Sequence, residues 1–466
     1  MFGQEAERLG PASLTRREFL GRFGSAAVGT VGLAAAGPAV LLGLGPRQPL
    51  PASRFGSEVA TAWFDLALDL VKETPGFSPP VASRAFGYAG VTLYEALAPG
   101  MPEYRSLAGQ LNDLGDVPVP ADPAHHWPTV ANASLAAILR SLFPTATSQN
   151  KAAMDALEET LAQLFRMTVP PGIFRRSVDR GRSVSAHIFE WSKLDGGHEG
   201  YLRNFPPYTP PVGAGLWVPT PPGFLSALQP FWGSNRPFAL ESGGKCDPGP
   251  PLSYSEEPSS TFFSETLECY EVVTNLAPEQ RAIALFWSDD PDITCTPPGH
   301  SISILTQVVK ERGFALDVAA EAYAKVGIAV ADAFISCWST KFLYNLVRPV
   351  TCIRQLIDPS WSSLLVTPPF PEYTSGHSVQ SAASAQVLTD LFGPLAFTDH
   401  THDDRGLAPR SFNSFFEAAE EAALSRLYGG IHFRTAIARG LEQGRCVGQK
   451  VIDLEFREAK LPAFPG

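Results

Sequence analysis

Three short stretches in the C-terminal third of the chain carry residue types that bind oxyanions. The first, KFLYNLVRP, places Lys341 and Arg348 seven residues apart. That spacing is about two helical turns, so both cations project from one face of an otherwise apolar helix. Because burying two cations costs free energy unless an anion lies near them, the stretch indicates an anion site. A solvated cationic edge is the favoured alternative when this stretch is considered alone.

The second and third stretches add groups that move protons and form direct bonds. In TSGH, Ser375 offers a hydroxyl and Gly376 lets a ligand approach a helix start, where free backbone N–H groups and the helix dipole favour an anion. His377 follows as a proton donor or acceptor. In SRLYGGIH, Arg426 brings a bidentate guanidinium, and His432 brings a neutral nitrogen that can act as nucleophile or metal ligand. The competing interpretations are a plain serine N-cap and structural histidines.

Together, the order and spacing of these stretches resemble the superfamily of type 2 phosphatidic acid phosphatases and vanadium-dependent haloperoxidases. Its pattern is K-x6-R-P, then P-S-G-H, then S-R-x5-H-x3-D. The resemblance implies that His432 bonds vanadium or phosphorus and that His377 is the catalytic acid/base. It also implies a set of residues that hold the oxygens of vanadate or phosphate, namely Lys341, Arg348, Ser375, Gly376, Arg426 and His432.

Two positions depart from that pattern. Thr374 replaces the first proline, and Ala436 stands where the aspartate is expected, four residues after His432. In the phosphatases this carboxylate orients the nucleophilic histidine, as in a catalytic triad. Its loss weakens the case for covalent phosphatase chemistry more than the case for vanadate binding. A backbone carbonyl or another side chain could orient His432 instead, and the sequence does not say which.

Other residues favour the haloperoxidase branch. Trp338 and Phe370, in WSTK and PFPEYTSGH, resemble positions of the fungal vanadium chloroperoxidases and would form an apolar wall near a bound halide. FWSDDPDITCTPPGH resembles haloperoxidase chains in which an aspartate before T-P-P supports the acid/base histidine, so Asp289 or Asp290 is expected in that role. The alternatives are ordinary core aromatics and a solvated turn.

The expected function is oxidation of halide by hydrogen peroxide at a histidine-bound vanadate, with transfer of the halogen to a small organic acceptor. In that chemistry Lys341 would hydrogen-bond the peroxide and His377 would take its proton. One alternative is an exported acid phosphatase of the same superfamily that forms a phosphohistidine. Another is a non-catalytic exported helical protein with a relic anion site, which Ala436 supports.

The elements that must position these residues are helices. Apolar residues recur at three- and four-residue spacing and no strand is evident, which predicts a mainly α, haloperoxidase-like fold of two helical bundles with long Pro/Gly-rich connecting loops. The predicted helices cover 57–73, 81–97, 129–143, 149–165, 174–193, 261–288, 299–311, 315–345, 376–392, 411–428 and 432–456. The predicted parts are an export signal and linker over 1–50, an N-terminal bundle over 51–202, a Pro/Gly/aromatic-rich connection over 203–260, and a C-terminal bundle with the site over 261–466.

Composition limits the remaining possibilities. The 466 residues have a net charge of -11 and no basic run, which argues against nucleic-acid binding. Arg16 and Arg17, followed by an uncharged Gly/Ala-rich stretch, resemble a twin-arginine signal. We therefore expect recognition by the twin-arginine export machinery and a periplasmic or extracellular mature protein. No later segment is apolar enough to span a membrane, so the mature protein is not expected to be membrane-embedded.

The cysteines and one polar stretch carry weaker signals. Six cysteines without a C-x-x-C pair argue against a zinc site and allow disulfides that the sequence cannot pair. The stretch DHTHDDR groups His400, His402, Asp403 and Asp404. Such a group can bind a divalent metal, but it is more typical of a polar loop between helices.

Overall fold

Most of the structure is helical, as the hydrophobic periodicity predicts. The computed structural model describes residues 50–120, 122 and 124–458, which contain thirteen α-helices. Five precede the connection: α1 (Glu58–Glu73), α2 (Pro79–Leu97), α3 (Trp127–Leu142), α4 (Ser148–Arg166) and α5 (Pro171–Ser192). Eight follow it: α6 (Thr261–Thr274), α7 (Pro278–Phe286), α8 (Thr296–Arg312), α9 (Leu316–Tyr344), α10 (Pro349–Leu356), α11 (Gly376–Phe392), α12 (Phe415–Tyr428) and α13 (Arg434–Ile452). The prediction of a mainly α fold is confirmed.

Prolines set several helix starts. Helices α5, α7 and α10 each begin at a proline, whose fixed φ suits the first helical position and whose missing N–H costs nothing there. The sequence predicts a helical pattern over 261–288, and the structure divides this range into two helices. Helix α6 ends at Thr274 and Pro278 begins α7, because a proline inside a helix would remove a hydrogen bond and clash with the preceding turn.

Helix α9 runs through the core. Most of its 29 residues are buried, including the charged residues Glu321, Asp332 and Lys341. Helix α2 packs along it so closely that a Cβ atom at Gly327 would lie 2.6 Å from the carbonyl oxygen of Phe86. This close approach requires glycine. Lys341, in the last turn of α9, is thereby buried, while Leu343 in the same turn is exposed.

The Pro/Gly-rich connection is anchored to the same helix. Residues 203–260, all of which the structure describes, contain no α-helix, and their Trp217 and Trp232 are buried. The buried carboxylate of Asp332 on α9 accepts hydrogen bonds of 2.7 to 3.0 Å from the backbone N–H groups of residues 238, 239 and 240. The N–H groups of this non-helical segment have no helical hydrogen bonds, and the Asp332 carboxylate satisfies three of them. These bonds attach the connection to the surface of α9.

A small sheet was not predicted. Strands β1 (Phe397–Asp399) and β2 (Arg410–Phe412) pair antiparallel, with Phe397 opposite Phe412 and Asp399 opposite Arg410. Strands of three residues are too short to show the alternation that identifies a strand in a sequence. The sheet matters for the site because it holds Asp399 in the interior.

Some expectations lie beyond what the structure describes. The predicted export signal at Arg16 and Arg17 falls outside the described residues. Among the helices that are described, none is both long and apolar enough to cross a membrane. The described residues belong to one compact unit. The boundaries at 202 and 260 between bundles and connection remain predictions.

A disulfide joins the connection to the last helix. Cys246 and Cys446 are bonded with a Cα–Cα distance of 5.8 Å, and they lie 200 residues apart in the chain. The other four cysteines are buried and free. Because a bond that closes a long loop restricts the unfolded chain, replacing both bonded cysteines with serine is expected to lower the free energy of unfolding by about 2 to 5 kcal/mol.

Denaturant unfolding without reductant measures this loss. Wild-type protein treated with reductant should unfold at the lower midpoint of the double variant, and thiol counting in denaturant should give four free thiols before reduction. Equal midpoints for the untreated wild type and the double variant would contradict the expected stabilisation.

Candidate active site

Seven predicted residues come together at one end of a cavity of about 360 Å³. We call them the cage: Lys341, Arg348, Ser375, Gly376, His377, Arg426 and His432. Each lies near a helix end, because the C-terminal ends of α9 and α12 and the N-terminal ends of α10, α11 and α13 meet here. Four of them line the cavity, namely Gly376, His377, Arg426 and His432. The other three are fully buried behind it.

Arg348 brings a buried guanidinium with one unused nitrogen. Its Nε donates to the carbonyl of Phe370 and its Nη1 to the carbonyl of Ile431, both at 2.8 Å. Its Nη2 has no hydrogen-bond partner among the described residues. Burial lowers the pKa of Arg348 to about 10, with Glu372 opposing the shift, so the group stays charged at neutral pH. A buried cationic donor without an acceptor is costly, and an oxyanion in the cage would supply that acceptor.

His432 is held by a carboxylate that the family pattern does not contain. Its Nδ1 lies 2.8 Å from Oε1 of Glu372, which also accepts the N–H of Phe433 at 2.9 Å. With Nδ1 as the donor, Nε2 carries the lone pair of the ring and accepts a long hydrogen bond of 3.3 Å from Nη1 of Arg348. Burial, and then the cations Arg348 and Lys341, hold the pKa of His432 well below its ordinary value. The ring is therefore neutral and can bond an electrophilic centre.

Glu372 thus contacts Nδ1 of His432, as the missing aspartate of the family pattern was expected to do. Ala436, at the position where the pattern has that aspartate, packs in an apolar cluster with Tyr373 and Phe433. Burial raises the pKa of Glu372 to about 7, against the opposing effect of Arg348 and Lys341. In the sequence, this residue is the lone acidic position in PFPEYTSGH, which was a usable signal. Only the fold brings it to a histidine 60 positions further along the chain.

His377 opens toward the cavity from the first turn of α11. Its Nε2 has no hydrogen-bond partner among the described residues and lies 4.0 Å from Oδ2 of Asp289. Burial, and then Arg426, hold the pKa of His377 well below its ordinary value, so the neutral ring can accept a proton. Ser375 is the N-cap and accepts the N–H of Ser378 at 3.4 Å. The cap and the catalytic turn are therefore the same structure.

Lys341 is placed differently from expectation. Its Nζ donates to the carbonyls of Pro371 and Glu372, each at 3.0 Å, and to that of Thr374. An ammonium group has three N–H donors, so the backbone uses all of them, and the side chain does not reach the cavity wall. Burial lowers the pKa of Lys341 to about 8. In this arrangement Lys341 positions the segment before α11, and its contact with an oxyanion or peroxide stays a prediction.

The two predicted aromatic residues form one wall of the cavity. The rings of Trp338 and Phe370 lie 4.9 Å apart, and both line the cavity. The ring of Phe370 also faces two cations, with its centroid 5.0 Å from Nζ of Lys341 and 4.9 Å from the guanidinium of Arg348. Such contacts stabilise buried cations. The two rings therefore line the cavity, as predicted, and also pack against each other as core residues do.

Comparison with known proteins shows the family of this chain. The family model of the VCPO second helical-bundle domain matches residues 321–360 and 356–459. The crystal structure of the first bacterial vanadium-dependent iodoperoxidase is 38% identical, with a TM-score of 0.79 over 87% of this chain and 98% of that one. This chain belongs to the vanadium-dependent haloperoxidase superfamily.

Two other relatives are more distant. The vanadium chloroperoxidase of Curvularia inaequalis is 26% identical over 223 residues, a match that covers 34% of this chain. The chain spans only 37% of the length of that curated relative. A holo-type bacterial vanadium-dependent chloroperoxidase is 18% identical, with a TM-score of 0.60 over 82% of this chain and 92% of that one. That likeness shows a shared fold.

In this haloperoxidase-superfamily chain, Asp289 is fixed by two histidines. His300 lies between two carboxylates, with Nδ1 2.9 Å from Asp289 and Nε2 2.7 Å from Asp399, and His402 Nε2 lies 3.1 Å from Asp289. Burial alone would raise the pKa of Asp289, but His300 and His402 hold it well below its ordinary value. Asp289 is therefore ionised beside His377, while the side chain of Asp290 is exposed.

Asp289, His300, Asp399 and His402 form one buried cluster, and the sequence indicated only part of it. The polar-loop interpretation of DHTHDDR fits His400, which is half exposed and bonds Asp403 at 2.9 Å. His402 lies in the same loop, but its side chain is buried against Asp289. Neither His300 nor Asp399 was predicted, because their partners lie 11 and 99 positions away and no motif joins them.

The pKa of His300 predicts a loss of stability at alkaline pH. Burial alone would favour the neutral ring, but Asp289 and Asp399 raise the pKa of His300 to about 10. Because this value exceeds the unfolded value of about 6.5, the charged ring stabilises the fold fully below that pH and ceases to do so as the pH rises toward about 10. The free energy of unfolding should fall by at most about 1.4 kcal/mol per pH unit in this window.

Denaturant unfolding at several pH values between neutral and alkaline measures this slope. His300→Gln should be less stable at neutral pH and show a flatter decline. His400→Gln, at an exposed histidine, is the matched control and should keep the wild-type slope. Parallel declines for wild type and His300→Gln would contradict the role of the His300 charge.

Proposed function

We propose that this chain is a vanadium-dependent haloperoxidase, which oxidises halide with hydrogen peroxide at a vanadate bound by His432. The observation that carries the proposal is a buried Arg348 guanidinium, whose Nη2 has no hydrogen-bond partner among the described residues, beside the Nε2 lone pair of a neutral His432. An oxyanion would give Nη2 its missing acceptor, and the central atom of that oxyanion could bond Nε2 in place of the long contact with Arg348 Nη1. Iodide is the halide to test first, because the 38% identical structure is that of an iodoperoxidase.

The residues present fit vanadate. His432 would bond its metal, while Arg348, Arg426 and the Gly376 N–H would hold its oxygens. A Cβ atom at Gly376 would have only Trp338 nearby, at 3.8 Å, so the cradle is open on this side. Bound vanadate would supply a Lewis-acidic centre that makes peroxide reactive toward halide.

The chain's own side chains prepare that reaction. Glu372 fixes the tautomer of His432 by accepting from Nδ1. His377 accepts a proton from incoming peroxide at Nε2, which no other described residue occupies, and ionised Asp289 nearby stabilises the resulting imidazolium. Trp338 and Phe370 keep water away from one side of the cavity. The buried cations Arg348 and Arg426 offset the negative charge of the oxyanion.

One specific observation favours a second candidate, an acid phosphatase that forms a phosphohistidine on His432. The Glu372–His432 pair orients the ring as the aspartate does in the phosphatases, so nucleophilic attack on a phosphate ester is chemically available. The same pair removes the main support for a relic site, since the loss of a carboxylate at Ala436 is compensated.

A paired assay separates these functions. Protein loaded with vanadate should oxidise iodide or bromide with peroxide, and protein without vanadate should not. The metal-free protein should hydrolyse an aryl phosphate only weakly. Hydrolysis of the ester without any vanadate-dependent halide oxidation would overturn the haloperoxidase proposal in favour of the phosphatase. Vanadate binding with neither activity would indicate the relic site.

Export through the twin-arginine pathway remains part of the proposal. Arg16 and Arg17 carry it in the sequence, and the Cys246–Cys446 disulfide is typical of proteins outside the reducing cytoplasm. Fusion of the first 50 residues to a reporter should direct it across the inner membrane. Replacement of both arginines with lysine should retain the reporter in the cytoplasm, and unchanged export of that variant would contradict the proposal.

A further inference from the structure

The cavity above the cage has two uncharged walls. One is the loop 220–228 of the connection, and the other is the segment 365–370 before α11. Neither segment contains an acidic or basic residue. The backbone N–H of Leu228 donates to the carbonyl of Pro369 at 2.8 Å, which joins the two walls at their base. Trp338 donates to the carbonyl of Leu228 at 3.2 Å and ties both walls to α9.

Large apolar side chains line these walls and stay exposed. Phe224 is 64% exposed, Leu225 53% and Val366 68%, and all three border the same cavity from opposite sides. Single exposed apolar residues are ordinary on a protein surface, but a group of them around a cavity is typical of a binding site. The free energy gained by covering them is therefore available to a ligand.

Phe224 is also held in an unfavourable backbone conformation. Its φ is 47°, in the left-handed region that favours glycine, and its N–H donates to the carbonyl of Thr220 at 3.0 Å. A phenylalanine that is both exposed and in a left-handed conformation contributes little to folding. Residues in such conformations cluster at ligand-contacting positions.

We call the space between the walls 220–228 and 365–370 the mouth of the cavity. We propose that the mouth binds the organic acceptor, a neutral apolar molecule with an electron-rich aromatic ring, next to the cage. The inference rests on the proposed haloperoxidase function. The cavity volume of about 360 Å³ lies at the lower end of the range for small-ligand sites, so a molecule of one or two rings fits. Against the two uncharged walls a charged group would lose its hydration without gaining a partner, so these walls favour a neutral ring. Asp290, which lines the remaining side of the cavity, further disfavours an anionic acceptor.

Retention of the acceptor changes where halogenation occurs. Halide is oxidised by peroxide to hypohalous acid, with one proton consumed and one water released. The ring carbon of the acceptor then attacks the halogen, the O–X bond breaks, a C–X bond forms, and the displaced ring proton leaves with hydroxide as water. With the ring held in the mouth, this second step takes place beside the cage rather than in bulk solution.

Matched double variants test the proposal. Phe224→Asn with Val366→Ser removes apolar surface from both walls, and asparagine tolerates the left-handed conformation. Phe205→Asn with Val212→Ser is the control, since both residues are exposed on the connection but do not border the cavity. Triiodide formation without acceptor should be unchanged in both variants, which also reports correct folding.

The acceptor readouts are binding and selectivity. Calorimetric titration of naphthol into protein without vanadate or peroxide should show binding to wild type and control, and about 10-fold weaker binding to the mouth variant. In competition, wild-type enzyme should prefer naphthol over phenolsulfonate more strongly than reagent hypoiodous acid does. The preference of the Phe224→Asn, Val366→Ser variant for naphthol over phenolsulfonate should fall to that of reagent hypoiodous acid.

The outcomes are distinguishable. Absence of naphthol binding to wild type, or a wild-type competition ratio equal to that of the reagent, would overturn the acceptor site. Equal naphthol binding by both double variants would do the same. A wild type that binds naphthol but forms no vanadate-dependent triiodide would instead overturn the proposed haloperoxidase function.

Discussion

Replacing His432 with alanine should abolish vanadate-dependent halide oxidation. The Nε2 lone pair of this neutral, buried ring has only a long hydrogen bond from Arg348, so it can bond the central atom of the oxyanion while the cations hold its oxygens. Loss of outer-shell partners alone costs 10- to 100-fold in metal affinity or activity, so loss of the ligand itself should exceed about 100-fold. Equilibrium dialysis of vanadate and the iodide assay measure the two effects separately.

The control for this experiment is another histidine. His400 is half exposed and outside the cage, so His400→Ala should bind vanadate and oxidise iodide as wild type does. Circular dichroism should show the same helix content for both variants. Retention of vanadate-dependent activity by His432→Ala would contradict the assigned ligand.

The second large effect concerns Glu372. Glu372→Ala should weaken vanadate binding by about 10- to 100-fold, because Nδ1 of His432 loses its acceptor and the ring loses its fixed tautomer and orientation. The N–H of Phe433 loses the same acceptor. Glu372→Gln keeps an oxygen at this place and should show a smaller loss. Equal vanadate affinities for wild type and Glu372→Ala would contradict this role.

A compensating substitution sharpens the test. The family pattern has its aspartate at the position of Ala436, which lies beside Phe433 in the same buried cluster. Adding Ala436→Asp to Glu372→Ala should recover at least part of the lost vanadate affinity, since a carboxylate would again be available to His432. Ala436→Asp alone should be destabilising, because it places a second carboxylate near Glu372 in an apolar cluster. Denaturant unfolding measures this loss of stability. If the double variant recovers no vanadate affinity, a carboxylate at position 436 cannot replace the one at position 372.

The losses expected for His432→Ala and Glu372→Ala follow from one feature of the site, a buried cation beside a neutral histidine. Arg348 has a nitrogen without a partner among the described residues, and His432 has a lone pair beside it. Lys341, expected to contact the oxyanion, instead donates to the backbone of residues 371, 372 and 374. The segment that carries Glu372 is therefore held from one side by Lys341 and from the other by His432.

Much of the fold and the cage residues could be predicted from the sequence. The mainly α fold followed from hydrophobic periodicity, which reports helices directly because 3.6 residues make one turn. The cage residues followed from types and spacing within three short stretches, each of which lies at a helix end. Local signals of this kind survive in a sequence because neighbours along the chain are also neighbours in space.

Tertiary structure alone decided which distant groups meet. Glu372 reaches His432 across 60 positions, and His300 reaches Asp399 across 99. No spacing rule links such partners. The two short strands lacked the length that alternation requires. The burial of His402 and the use of Lys341 by backbone carbonyls likewise depend on packing. A sequence determines which groups a chain can offer, whereas their protonation and partners depend on the charges and burial that the fold creates.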